Sequence, residues 1–98
     1  MAIAEKKYSM NIEEAFQKAL EAIKNNGWTL RDFKQNEKIL AETDVSLRSW
    51  GEEIEIKLLR RRDNVEVIVS SEPIHQIIDW GKSTDNVKDF FQKFEKGN

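Results

Sequence analysis

A chain of 98 residues with 39% apolar and 35% charged side chains and a mean hydropathy of -0.68 has the material for one modest core and no second domain. Its net charge of -2 and pI near 5.5 argue against a general nucleic-acid binder, which needs a concentrated positive face. The absence of cysteine excludes disulfides, thiolate metal sites and cysteine nucleophiles.

In chain order, Ile3 to Tyr8 reads as a short first strand. Asn11 reads as a helix N-cap, because the Glu14 carboxylate three residues on reaches back to the cap N–H and Met10 staples against the first turn. From there Ile12, Ala15, Phe16, Ala19, Leu20 and Ile23 follow helical spacing, and Asn25-Asn26-Gly27 ends the helix. Trp28 to Lys34 reads as a strand whose parity breaks between Leu30 and Phe33, which calls for a bulge or bend. A polar turn at Gln35-Asn36-Glu37 leads into a strand from Lys38 to Ser46, with Ile39, Ala41, Thr43 and Val45 on its dry face and Leu40 as the exception on the wet one.

Two aliphatic alternations follow, Ile54, Ile56 and Leu58 and then Val65, Val67 and Val69. Matching their faces with Leu58 opposite Val65 leaves Arg60-Arg61-Arg62-Asp63 as a four-residue loop and sets Lys57 opposite Glu66 as a cross-strand charge pair. The same register carries Trp50 to Pro73, where the strand must close because proline cannot donate to a ladder. Ser83 or Thr84 is then the expected cap of a last helix whose buried stripe is Val87, Phe90, Phe91 and Phe94.

The expected fold is therefore α+β over residues 1–98 as a single domain: a two-layer sandwich of order β-α-β-β-β-β-α, with an antiparallel sheet of about five strands and both helices on its aliphatic face. That order resembles the TATA-binding-protein-like architecture. The signatures Ser49-Trp50-Gly51-Glu52 and Asp79-Trp80-Gly81-Lys82, with Ser70-Ser71 ahead of the second and Asn86 after it, resemble a group of small uncharacterised bacterial domains. The resemblance implies no activity and brings no catalytic or binding residues with it.

Function is less directly written. Trp50 and Trp80, each followed by glycine, either line a small-molecule pocket with Asp79 and Lys82 or serve as packing anchors at one corner of the core. His75 is the only histidine and lacks the partners of a zinc site or a Ser-His-Asp arrangement. Asp79 and Asp85 flank the last helix start, where a carboxylate is already explained by the helix dipole. On the outer sheet face Leu40, Leu59 and Ile68 offer a small apolar patch for a homodimer or a protein partner. No apolar run is long enough for a membrane span and the first residues lack the order of a leader, so a soluble cytoplasmic domain is expected. The chain thus reads as a non-enzymatic binding or protein-interaction module without cofactor or metal. The alternatives are an enzyme with a cryptic acidic site near Asp79 and Asp85, and a weak nucleic-acid contact through Arg60, Arg61 and Arg62.

Overall fold

The computed structural model describes residues 1–43, 51–74 and 82–96. Five strands and two helices follow the expected order: β1 (Ala2–Tyr8), α1 (Ile12–Asn25), β2 (Thr29–Lys34), β3 (Lys38–Glu42), β4 (Glu52–Arg60), β5 (Val65–Pro73) and α2 (Lys82–Lys96). All neighbouring strands are antiparallel in one open sheet of order β1-β5-β4-β3-β2. β1 and β2 are the two edges, so α1 carries the chain from one edge to the other. Its 14 residues span roughly 21 Å, close to the ~19 Å that separates the outer two of five strands.

Local chemistry sets the ends of α1. The Asn11 side chain accepts from the Glu14 backbone N–H at 2.7 Å, as the cap signature requires. At the other end Trp28 N–H bonds Ile23 C=O and Gly27 N–H bonds Lys24 C=O, the Schellman pairing, which depends on Gly27 at a φ of 74° where a Cβ would be strained. The core lies between the sheet and the helices. Ile39, Ala41, Ile54, Ile56, Leu58, Val65, Val67 and Val69 are buried from the sheet, against Ile12, Ala15, Phe16, Ala19, Ala22 and Ile23 of α1 and Val87, Phe90, Phe91 and Phe94 of α2. The parity break in β2 is a register shift between Leu30 and Asp32, which brings Leu30 opposite Ala41 and Phe33 opposite Ile39 on the helix side. Phe33 packs on Phe16 with ring centroids 5.8 Å apart, yet stays half exposed at the open edge.

The β4–β5 register corrects the expectation. Leu58 lies opposite Val67, Ile56 opposite Val69 and Ile54 opposite Ser71, so the ladder runs on to Arg60 opposite Val65 and the turn occupies residues 61–64. Matching aliphatic faces tolerates any even shift, because side chains repeat every two residues. The turn decides: Arg61 N–H donates to Asn64 C=O at 2.9 Å and closes a tighter end. Lys57 consequently faces Ile68, and Glu66 is bound by Arg61 at 2.7 Å instead. Glu52, not Trp50, comes opposite Pro73.

The last helix is tied to β1 by a polar clasp. Tyr8 Oη donates to Glu95 at 2.6 Å and Lys6 Nζ to the same oxygen at 3.2 Å, while Lys6 also lies 4.9 Å from the Phe91 ring centroid. The Tyr8 and then the Lys6 hydrogen bond hold the Glu95 carboxyl below the usual carboxylate range. A folded value below the unfolded one gives stability that is present above pH ~4.3 and is lost as pH falls through the lower, folded value. Urea midpoints between pH 7 and 3 should therefore fall less steeply in Glu95→Gln than in the parent. Equal slopes would show that the clasp does not couple to folding.

Candidate functional site

On the dry face of the sheet, the hydrophobic run of β4 begins with a charged residue. Glu52 shares the parity of Ile54, Ile56 and Leu58, so the pleat turns it inward, and it is 0% exposed. Ser71 follows Val65, Val67 and Val69 inward by the same rule and is also 0% exposed. The first turn of α2 adds Ser83 and Asn86, both buried and three residues apart on one helix face. Ser71 Oγ donates to Glu52 Oε1 at 3.0 Å, Ser83 Oγ donates to the same oxygen, and Asn86 Nδ2 donates to Ser71 Oγ at 3.3 Å. At the strand end Glu52 N–H bonds Thr43 Oγ1 at 2.8 Å and Thr43 N–H bonds Glu52 C=O at 2.9 Å. Gly51, just before, holds a φ of 100°, a sharp turn that glycine makes without strain.

This cluster joins β3, β4, β5 and α2 at one end of the core. Each hydroxyl proton is spent on one carboxylate oxygen, and the chain from Asn86 through Ser71 to Glu52 strengthens its own bonds in a dry environment. A carboxyl beside a helix N-terminus is also favoured by the helix dipole. The other oxygen, Glu52 Oε2, is buried and has no hydrogen-bond partner among the described residues. Ser83 or Thr84 is the expected cap of α2, and both lie inside the helix, which begins at Lys82. Ser83 is instead aimed at Glu52, because a buried acceptor makes a stronger claim on its hydroxyl than solvated backbone does.

Among the described residues no element covers the opposite face of the sheet, and its register sorts the charges. Glu42, Glu53 and Glu72 lie directly opposite one another across β3, β4 and β5. Lys34, Lys38 and Lys57 do the same across β2, β3 and β4. Between these rows runs a third, Ile3, Ser70, Glu55 and Leu40. Glu55 is held by Lys38 at 3.2 Å and Lys57 at 3.7 Å, and Arg31 binds Glu42 at 2.6 Å. Ile3 is 66% exposed.

Of the residues singled out from sequence, Leu40 and Ile68 are half buried and Leu59 is exposed on this outer face. They do not form one patch. Leu40 is opposite Glu55, Ile68 opposite Lys57 and Leu59 opposite Glu66, so only Leu59 and Ile68 are diagonal neighbours. Trp50, His75, Asp79 and Trp80 lie outside the described residues, as do Val45 and Ser46; Lys82 opens α2. Asp85 is exposed in the first turn of α2. The arginines border a cleft of about 520 Å³ against the start of α1, where Arg60 faces Glu13 at 3.7 Å and Arg61 is bound to Glu66. Sequence reasoning missed Glu52, Ser71 and Ser83 as a unit. The available signal was parity, which puts Glu52 and Ser71 in the aliphatic series, and the spacing of Ser83, Asn86 and Phe90 on one helix face. Among the described residues no group of three or more His, Cys, Asp or Glu side chains is placed to hold a metal, and no helix is long and apolar enough to cross a membrane.

An open antiparallel five-stranded sheet with two helices defines an α+β two-layer fold. The crystal structure of CalU16 from Micromonospora echinospora is similar to it, with a TM-score of 0.53 and 10% identity over 96% of this chain and 83% of that one. The crystal structure of TTHA0849 from Thermus thermophilus is more distant at a TM-score of 0.46 and 14% identity, over 96% and 93% of the two chains. No protein-family model matches the chain, and no curated protein matches it in sequence.

Proposed function

We propose that the chain is a non-enzymatic protein-interaction module that presents the uncovered face of its sheet to a partner. The observation that supports this is the sorting of that face into a glutamate row and a lysine row. Like charges directly opposite on neighbouring strands destabilise a sheet, and exposed positions are free to alternate in sign. A local rule broken at several adjacent positions marks a surface that serves something other than its own fold. A partner bearing the complementary rows removes the repulsion on contact and gains orientation from the pattern.

The test is a stability measurement on the isolated chain. Glu53 lies between Glu42 and Glu72. Glu53→Lys replaces two repulsive contacts by two attractive ones, so at high dilution and low salt the melting temperature should rise by a few degrees, on the order expected for cross-strand pairs, and the gain should shrink at high salt. An unchanged or lowered melting temperature would remove the basis for the interaction face. The tryptophan-glycine signatures fit a different role. Glu52, Ser71 and Asn86 of that pattern belong to the buried cluster, while Ser70 lies on the outer face, and the cluster favours a latch for α2 over a ligand site.

A further inference from the structure

We propose that the partner of this face is a second copy of the same chain, related by a two-fold axis that runs across the strands above the Ile3–Ser70–Glu55–Leu40 row. This rests on the interaction-face reading and names its occupant. A complementary partner must carry a lysine row and a glutamate row at the spacing found here and in the reverse order. The face itself, turned end for end, is such a surface. On β4, Glu53 and Lys57 are four residues apart, about 13 Å, with Glu55 midway. An axis at that midpoint sets each strand over its own counterpart running the other way. Glu53 then meets Lys57 of the second copy, and Glu42 meets Lys38 of the second copy, with each contact made twice. An axis along the strands would instead set glutamates against glutamates, so the pattern selects one docking.

Every residue on the central row faces its own copy across the axis, including Asp32, which lies opposite Leu40 at the β2 edge and meets its own carboxylate there. Ile3, the most exposed aliphatic of the strands, and Leu40 both gain an apolar self-contact there, at opposite sides of Ser70 and Glu55. The Glu55 carboxylate, already bridged by Lys38 and Lys57, brings little net charge to the centre. The stem of Glu72 lies over Ile68 of the second copy, covering an apolar side chain that its own sheet leaves half exposed.

Sedimentation and native mass spectrometry of the parent chain at low salt should give twice the 11.5 kDa chain mass, moving toward the monomer as salt rises. Two double variants complete the test. Glu42→Lys with Glu53→Lys makes the four facing positions 38, 42, 53 and 57 all basic, and Lys38→Glu with Lys57→Glu makes the same four all acidic. Each alone should be monomeric where the parent is dimeric, and an equimolar mixture should restore a dimer holding one chain of each. A parent that stays monomeric at concentrations near ~1 mM overturns the second-copy inference, as do double variants that dimerise alone as well as the parent does. Should either variant fail to fold by circular dichroism, Leu40→Asp on the axis serves in its place, with a dimer as tight as the parent's counting against the proposal. A monomeric parent together with a stabilising Glu53→Lys would leave the interaction face standing and remove only its occupant.

Discussion

Glu52→Ala should cost roughly 3–5 kcal/mol of folding stability, among the largest single-residue losses in the chain. The substitution takes away the one acceptor that Ser71 and Ser83 share, in a site where Glu52, Ser71 and Ser83 are all 0% exposed. Two buried hydroxyls lose their partner together, and a cavity is left between β4 and the first turn of α2. Glu52→Gln keeps the volume but presents an amide in place of two acceptor oxygens, so it should cost less, about 1–3 kcal/mol. Urea unfolding checks both. Hydrogen exchange should show the amides of the first turn of α2 opening more readily in Glu52→Ala, since that turn loses its anchor to the sheet. A loss below about 1 kcal/mol for the alanine variant would mean that water or neighbouring backbone takes over the acceptor, and the latch would be dispensable.

The second large effect is expected at Phe90. Its ring is 0% exposed and stands 5.4 Å from Phe91 and 5.7 Å from Phe94, which in turn packs 4.9 Å from Tyr8 of β1. Phe90→Ala should cost about 3–5 kcal/mol, and the melting temperature of a domain of this size should fall by roughly 15–30 °C. Against a total stability of about 5–15 kcal/mol, such a loss removes between about a fifth and all of it. Phe33→Ala, by contrast, removes a ring that is 51% exposed at the β2 edge and should cost much less. Thermal melts of the pair measure the difference. Similar losses at the two positions would show that the β2 edge is packed more tightly than its exposure indicates.

Much of the architecture is legible in the chain itself, and the reasons are local. The helix stripes, the Asn11 cap, the Gly27 terminus and the alternation of β4 and β5 are set by side chains within a few residues of one another, where 3.6-residue and two-residue periods leave few choices. Even the break in β2 shows in the conflicting parities of Leu30 and Phe33. The candidate sites were harder to read because their meaning depends on what lies across a strand gap. Glu52 stands in the aliphatic series of β4, yet glutamate is so seldom buried that parity alone does not place it inside; its acceptance there needs Ser71 from β5 and Ser83 from α2, which lie 19 and 31 residues away. The outer patch failed in the opposite direction. Leu40, Leu59 and Ile68 share a face by parity, but register sets Glu55 and Lys57 between Leu40 and the Leu59–Ile68 pair.

By itself the sequence determined the elements, their order, which face of each is dry, and hence the two-layer α+β fold, because each of these follows from periodicity and short-range chemistry. The tertiary structure alone decided the register of β4 on β5, since pleated strands fit equally well at every even shift until the turn at residues 61–64 selects one. That choice aligns Ser71 with Ile54 beside Glu52 on one side of the sheet, and Glu53 with Glu72 on the other. A slip of two residues would keep the core and dissolve both the buried latch and the glutamate row, because their partners are matched across strands and not along them.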